Sequence, residues 1–494
     1  MILRLDQAVW VLLGWVALGG FVEAQESTKG KKNVLFIAVD DLNDWIGCLG
    51  GHPQARTPNM DRLAARGTLF ASAHCNAPLC NSSRSSLLLG LRPSTTGIYA
   101  LKPNFRSLPK FETAVTIPEH FQRNGYQTAI TGKIFHGGSQ AYMSGPIDYG
   151  PRNLVGLKPP QKLVTTPMGN HPLVDWGTFP HNDEDRGDYE TATWACEKIA
   201  SWQSSDEPQF LAAGFFLPHV PLYAPPKWFE MFPLETLKMP TILDSDREDT
   251  PEFSWYKHWK LPEPRLSWLR EHGQLEPIVQ AYLASTAYVD SQIGRVLDAL
   301  EAAGKVDNTV VVLWSDHGWH LGEKAISGKN SLWEESTRVP LMFAGPGVQS
   351  GQICQTPVEL LDIYPTLIEL TGVAGRGGLE GLSLVPQLRD PAARRERPAI
   401  TTHNQNNHGV RTVDWRYISY ADGSEELYDL REDPNEWHNL ADKPELSGVK
   451  ERLASWLPQM NAPAVEGSGL RLLERKGDKW IWEGEEIIPA EAMK

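Results

Sequence analysis

Asn33-Val34-Leu35-Phe36-Ile37-Ala38-Val39 is an apolar run that stops at two carboxylates, Asp40-Asp41. A short continuous apolar run, with no alternation, reads as a strand buried on both faces, as in parallel sheets. Adjacent carboxylates repel unless a cation neutralises them. Open α/β sheets collect their ligands beyond the carboxyl ends of their strands. The run therefore implies a parallel α/β sheet with a ligand edge at Asp40 and Asp41. The plainer alternative is a solvated turn.

The same pattern recurs downstream. Tyr126 to Ile130 leads into Gly132-Lys133-Ile134-Phe135-His136. Phe210 to Phe216 leads into Pro218-His219-Val220-Pro221, where two prolines stiffen the segment that carries the histidine. Thr309 to Trp314 ends in Ser315-Asp316-His317-Gly318, with Lys329 in the loop beyond, and Val339 to Phe343 is a further strand. Helices are expected between them. Thr57 caps one that begins at Pro58 and stops at Gly67, and Thr116 to Gly125 repeats that logic. Tyr189 to Trp202, Ile278 to Leu300 and Glu359 to Leu370, the last closed by Gly372, carry helical periodicity.

The fold class is α/β: a large central, mostly parallel sheet flanked by helices. After Gly372 short strands alternate with turns, around Ala399, Gly409, Arg416 and Leu427, which indicates a smaller antiparallel sheet. The expected division is a catalytic domain over 33–375 and a C-terminal subdomain over 376–494. Pro146 to His181 reads as long loops around a site, and Asp244 to His272 as a Trp-rich insertion over the surface. Asn461 to Lys494 receives no assignment. At the N-terminus, Arg4, the apolar run Ala8 to Val22 and Val22-Glu23-Ala24 read as a signal peptide over 1–24, cleaved near Ala24. A linker over 25–32 follows. The chain is thus expected to be exported, to a periplasmic, extracellular or lysosome-like space. No later segment is apolar and long enough to cross a bilayer.

A second stretch carries the chemistry. Leu79-Cys80-Asn81-Ser82-Ser83-Arg84-Ser85-Ser86-Leu87-Leu88-Leu89-Gly90 runs from a polar turn into an apolar segment. It reads as a loop feeding a buried helix that starts near Cys80. Free backbone N–H groups at such an end attract anions and make a thiol there more acidic. Arg84, one turn on, would point back towards Cys80. The alternative is a buried structural cysteine beside a surface arginine.

Composition bounds the rest. The 494 residues are 41% hydrophobic and 22% charged, as in a soluble globular protein, and the net charge of −14 argues against a nucleic-acid binder. The sequence has no HExxH, and its five cysteines form no CxxC zinc pattern. Asp40, Asp41, Asp316 and His317 follow two strands whose ends converge in a parallel sheet. Three carboxylates there imply a divalent cation, with oxygen ligands favouring Ca²⁺ or Mg²⁺ over Zn²⁺ and the one histidine leaving a transition metal as the alternative. Arg84, Lys133, His136, His219 and Lys329 add positive charge and proton donors on the same edge. The set suits transfer of a tetrahedral anion, sulfuryl or phosphoryl.

From Asn33 to about Leu440 these motifs resemble the type I sulfatases. The family signature begins Cys-x-[Pro/Ala]-Ser-Arg, matched by Cys80, Ser83 and Arg84, while Ser82 stands where Pro or Ala is usual. Gly132-Lys133-Ile134-Phe135-His136 and the Asp316-His317 pair are most similar to iduronate 2-sulfatase-like enzymes. The resemblance implies an alkaline phosphatase/sulfatase-like fold and conversion of Cys80 to formylglycine by a formylglycine-generating maturation enzyme. It also implies a metal site of Asp40, Asp41, Cys80, Asp316 and His317. The implied sulfate pocket is Arg84, Lys133, His136, His219 and Lys329. In the implied mechanism the hydrated aldehyde attacks sulfur and Lys329 and His219 serve the leaving alkoxide. His136 then takes the proton that releases sulfate. The expected substrate is a sulfated carbohydrate, such as a 2-O-sulfated uronic acid. His403, Asn406 and His408, within His403-Asn404-Gln405-Asn406-Asn407-His408, are expected to contact the sugar. Trp176, Trp255, Trp259 and Trp319 are expected to stack on it. A phosphate or phosphonate monoester hydrolase, or an inactive glycan-binding protein of the same fold, are the competing readings.

Overall fold

The structure, a computed structural model, describes residues 30–167 and 171–493. The expected signal peptide and most of the linker lie outside the described residues.

Eight strands form the main sheet. Their spatial order is Gln352–Cys354, Gly67–Phe70, Leu341–Ala344, Thr309–Ser315, Asn33–Val39, Gln209–Phe215, Gln127–Gly132 and Ile147–Tyr149. All neighbours pair in parallel except at Leu341–Ala344, which opposes both its partners. The sheet is mostly parallel, as expected, and this one strand makes it mixed. Pro340 splits the expected Val339–Phe343 strand into Arg338–Val339 and Leu341–Ala344, because it has no N–H for a ladder.

Asn33–Val39 shows why its run is continuously apolar. Leu35, Ile37 and Val39 enter one core, with helices Gly187–Ser201 and Leu275–Ala302. Val34, Phe36 and Ala38 enter the other, with helices Cys80–Leu89, Ile117–Arg123 and Ile363–Thr371. Both faces are covered, so Val34 to Val39 are all apolar, while Asn33 at the strand's start satisfies its side chain on Gln209 N. The register then sets the site: Val39 lies level with Phe215 and Ser315, and Gly132 with Gly214. Asp40, the segment after Phe215, Asp316 and Lys133 thus leave the sheet at one edge.

Some local expectations change. Thr57 precedes the Pro58–Ala65 helix without a side-chain cap; its hydroxyl bonds Gly47 N and Asp61 instead. Gly67 starts a strand, where an added Cβ would lie 1.9 Å from the Phe343 oxygen. Thr116 and Glu119 do form a capping box. Asp244 to His272 is not a surface insertion. Its Phe253, Tyr256, Trp259 and Leu261 pack into a core with Ile418, Tyr428, Leu473 and Trp482. That core explains the C-terminal stretch, where Leu473–Lys476, Lys479–Trp482 and Glu485–Glu486 form a small sheet. Ala399–Thr402, His408–Arg411, Trp415–Ser419 and Glu425–Asp429 form the expected four-stranded antiparallel sheet.

Candidate active site

Cys80 is the first residue of the Cys80–Leu89 helix, and all ten of its residues are buried. A buried helix start needs partners for its polar side chains, and Asn81, Ser82, Ser83 and Arg84 have them. Asn81 donates to the Ala100 carbonyl, Ser82 to Ile98 at 2.7 Å and Ser83 to Asp316 at 2.6 Å. Ser82, the departure from the family signature, thus uses its hydroxyl to tie the helix to the next loop. Gly90 ends the helix in a left-handed conformation, where a Cβ would strike Leu379.

Charged groups converge on Cys80 from four strand ends. Arg84 donates to Asp40 at 2.9 Å and to Asp316 at 2.8 Å, and also to the carbonyls of Lys133 and Ile134. Lys133 pairs with Asp40. Lys329 Nζ lies 2.7 Å from Asp41 Oδ1 and 3.1 Å from Cys80 Sγ. His317 Nε2 lies 3.2 Å from Cys80 Sγ and 3.3 Å from Asp41 Oδ1. His219 Nε2 stands 3.9 Å from Asp41, and its Nδ1 lies 2.5 Å from the Val220 carbonyl. His136 interacts with Cys80 across the same space. All the residues expected for nucleophile, sulfate pocket and metal site are therefore brought together.

The electrostatics follow from burial and these pairings. Burial alone would push Asp40 up, but Lys133 and Arg84 outweigh it and hold the carboxyl far below the usual range. Burial also opposes ionisation of Cys80, yet Lys329, Lys133 and His317 pull its thiol well below the ordinary value. Asp316 is pushed up to about 7, mainly by burial. His317 rises to about 9 because Asp316 and Asp41 more than offset its desolvation. Burial lowers the His136 imidazole below its ordinary value, against the opposing pull of Cys80.

Comparison with known proteins decides the family. The sulfatase family model matches residues 32–373, and the C-terminal model of N-sulphoglucosamine sulphohydrolase matches 322–463. The chain belongs to the sulfatase family. It is 42% identical to a sulfatase of Formosa agariphila over 87% of each chain. Human iduronate 2-sulfatase is 30% identical over 72% of each chain, and a choline-sulfatase of Rhizobium meliloti 29% over 84% of each. The solved structure of a 2-O GAG sulfatase shares the fold, with a TM-score of 0.68 at 24% identity over 86% of this chain and 91% of that one.

In this sulfatase Asp41, Cys80, Asp316 and His317 offer ligand atoms within 4.8 Å of one another, as do Asp40, Asp41, Cys80 and His219. The first set fits a divalent cation. The Gly318 carbonyl can only accept, so His317 Nδ1 carries the hydrogen at 3.1 Å and leaves Nε2 as the ligand atom. Asp40 also pairs with two side-chain cations. The donor set becomes oxygen-rich, as Ca²⁺ and Mg²⁺ prefer, when residue 80 presents oxygen rather than sulfur.

The sugar-contact expectations need correction. His403 is 1% exposed, and His408 is buried with its nitrogens on Thr402 and Asn461. Asn406 is exposed at a left-handed turn. His403 and His408 thus serve the interior of the antiparallel sheet. Trp176, Trp259 and Trp319 are core side chains, 2%, 4% and 1% exposed, and Trp255 lies under Arg247. The sequence reading also overlooked Tyr282 and Arg152. Tyr282 OH donates to the Asp41 carbonyl at 2.8 Å and accepts from Asn43 N, fixing the metal loop. Its signal was a tyrosine in an apolar stripe, since a buried hydroxyl needs a partner. Arg152 holds the His136 carbonyl.

Proposed function

We propose that this sulfatase removes sulfate from a sulfated carbohydrate, a 2-O-sulfated uronic acid unit of a polysaccharide being the leading candidate. The nucleophile is formylglycine made from Cys80 by a maturation enzyme. The cofactor is a divalent ion, Ca²⁺ before Mg²⁺, held by Asp41, Asp316, His317 and residue 80, with Asp40 beside them. The carrying observation is position 80 itself: a helix-start thiol, 1% exposed, with Lys329 and His317 within 3.2 Å. Human iduronate 2-sulfatase and the 2-O GAG sulfatase support the sugar class, while the choline-sulfatase relative is the competing case.

An ion held by Asp41, Asp316 and His317 would supply charge stabilisation for the sulfate oxygens and acidity to a hydroxyl at position 80. This chain's side chains do the rest. Arg84 bridges Asp40 and Asp316 and keeps both carboxylates aligned. Lys329 faces the reacting atoms and stabilises developing negative charge on the leaving oxygen. His219 holds its Nδ1–H on the Val220 carbonyl, so it delivers a proton to that oxygen from Nε2 only when the ring is doubly protonated, and is left neutral afterwards. His136, which faces Cys80 across the same space, accepts the proton whose removal frees sulfate. The residues around them exclude water. In this reading residues 1–24 are an export signal, 33–375 form the catalytic domain and 376–494 the C-terminal subdomain.

The test is sulfate release from defined sulfated oligosaccharides, alongside aryl sulfate, aryl phosphate and choline sulfate. Turnover of choline sulfate with none on any sugar would overturn the substrate class. Preference for aryl phosphate would overturn the reaction class. Mass spectrometry of fully active protein that finds only unmodified Cys80 would overturn the nucleophile.

A further inference from the structure

His219 owes its place to a turn that is held from outside its own strand. The strand Gln209–Phe215 leaves the sheet level with Val39, so the N–H groups of Phe216 and Leu217 fall beyond the ladder. One carboxylate takes both. Phe216 N donates to Asp188 Oδ1 at 2.7 Å and Leu217 N to Asp188 Oδ2 at 3.0 Å. Two bonds from consecutive N–H groups to one carboxylate fix the direction of the chain as well as its position. The turn then closes as His219 N donates to the Phe216 carbonyl at 2.9 Å. The Phe216 ring lies against the His219 imidazole, with centroids 4.7 Å apart, and 5.2 Å from Lys133 Nζ. A shift of Phe216 is therefore a shift of His219 relative to the sulfate pocket.

Asp188 is itself firmly placed. It stands in the first turn of the helix Gly187–Ser201 and is 2% exposed. A Cβ added at Gly187 would lie 1.4 Å from the Asn153 oxygen, a close approach that pins the helix start to the neighbouring loop. A carboxylate in the first turn is also favoured by the helix dipole. Arg186 is buried with none of its guanidinium nitrogens hydrogen-bonded, and its charge favours the ionised carboxylate. Burial pushes the Asp188 carboxyl up to about 6, so it is ionised at neutral pH.

We propose that Asp188 is a positioning residue for proton delivery: through the backbone of Phe216 and Leu217 it aims His219 Nε2 at the leaving oxygen. The proposal rests on the reading of His219 as proton donor given above. Asp188 acts through His219, so its effect grows with the need of the leaving oxygen for a proton.

The test is a series of aryl sulfates, from para-nitrophenyl, whose phenolate departs with little help, through phenyl to para-methoxyphenyl, whose phenolate is the strongest base. kcat/KM is measured across the series for wild type, Asp188→Asn, His219→Ala and the double variant. His219→Ala is expected to lose about a hundredfold more on the para-methoxyphenyl ester than on the para-nitrophenyl ester, within the range of general acid catalysis. Asp188→Asn keeps the shape but turns an NH₂ group towards one of the two N–H groups. Its loss is expected to be about tenfold larger at the para-methoxyphenyl end. In the double variant the change at Asp188 costs nothing further at that end. Asp188→Ser, which is small and keeps one acceptor, is run in parallel and follows the same trend. An Asp188 loss that is equal across the series is what a merely structural role gives, and it overturns the proposal. So does no loss, or a loss that persists undiminished without His219. A His219→Ala loss that is equal across the series overturns the proton-donor reading and the proposal with it. No sugar enters the series, so failure of the substrate class leaves the result standing.

Discussion

Asp316 has five partners at once, the Ser83 hydroxyl on its carbonyl among them. It accepts from Arg84, from Asp41 N and from His317 N, and its own N–H reaches the Val39 carbonyl. Replacing Asp316 by Asn keeps the shape and removes the charge. Turnover should fall by about a thousandfold or more, since charge at a reacting centre is the largest catalytic effect. The melting temperature should stay within a few degrees; a variant that retains wild-type kcat would refute the assignment. Gly132 is the opposite case, a residue required for what it lacks. Its φ is +66°, and a Cβ would lie 1.9 Å from the Gly214 oxygen. Gly132→Ala should therefore push the two strands apart and displace Lys133. The cost is about 1–3 kcal/mol, read in denaturant midpoints, together with a loss of kcat. Asp40, Cys80 and His219 could be singled out from residue type and position alone. Tyr282 could not be assigned to the site, because its hydroxyl matters only through what folds against it.

At the element scale, Glu359 joins parts far apart in sequence. Its carboxylate takes both arms of Arg92, just past the Cys80 helix, and also Arg397 and the Ile400 N–H of the antiparallel sheet. Burial would raise its pKa, but Arg92, Arg397 and Arg395 outweigh that and bring it from 4.5 down to about 2. The sign is fixed: a depressed carboxylate stabilises the fold above its unfolded value of 4.5 and loses that contribution as pH falls through about 2. Glu359→Gln should flatten the acid limb of the stability curve and cost up to about 3 kcal/mol at neutral pH. Part is offset because neighbouring Asp362 moves upward, mainly through burial. Urea melts at pH 7 and pH 3 check it: an unchanged difference between wild type and variant would sink the idea. Strand pairing explains why the site sits where it does, since the aligned ends of three neighbouring strands deliver Asp40, His219 and Asp316 to one edge.

Across the whole molecule, the net charge of −14 coexists with a pocket crowded by cations. Lys329, Lys133, Arg84 and His317 all lie against carboxylates there. A divalent ion bound by the folded chain and not by the unfolded one stabilises by mass action, about 2.7 kcal/mol at a hundredfold excess over Kd. Chelator dialysis should therefore lower the melting temperature and abolish turnover, with Ca²⁺ restoring both. Restoration of neither by Ca²⁺ or Mg²⁺ would count against a divalent site at Asp41, Asp316 and His317.

The sequence alone determined the sheet and its ligand edge. A strand covered on both faces must be continuously apolar, so Asn33–Val39 declared its burial, and Asp40 and Asp41 marked where it ended. The helix at Cys80 was legible for the same local reason, a polar turn entering an apolar run. Only the tertiary structure decided which polar-rich segments face water. Asp244 to His272 and His403 to His408 carry polar and aromatic side chains that look exposed in one dimension. Long-range packing buries Phe253, Tyr256, Lys257, His258 and Trp259 of the first and His403, Asn404, Asn407 and His408 of the second. Burial of that kind depends on contacts more than a hundred residues away, such as Trp259 with Trp482 in one core, and no local pattern encodes it.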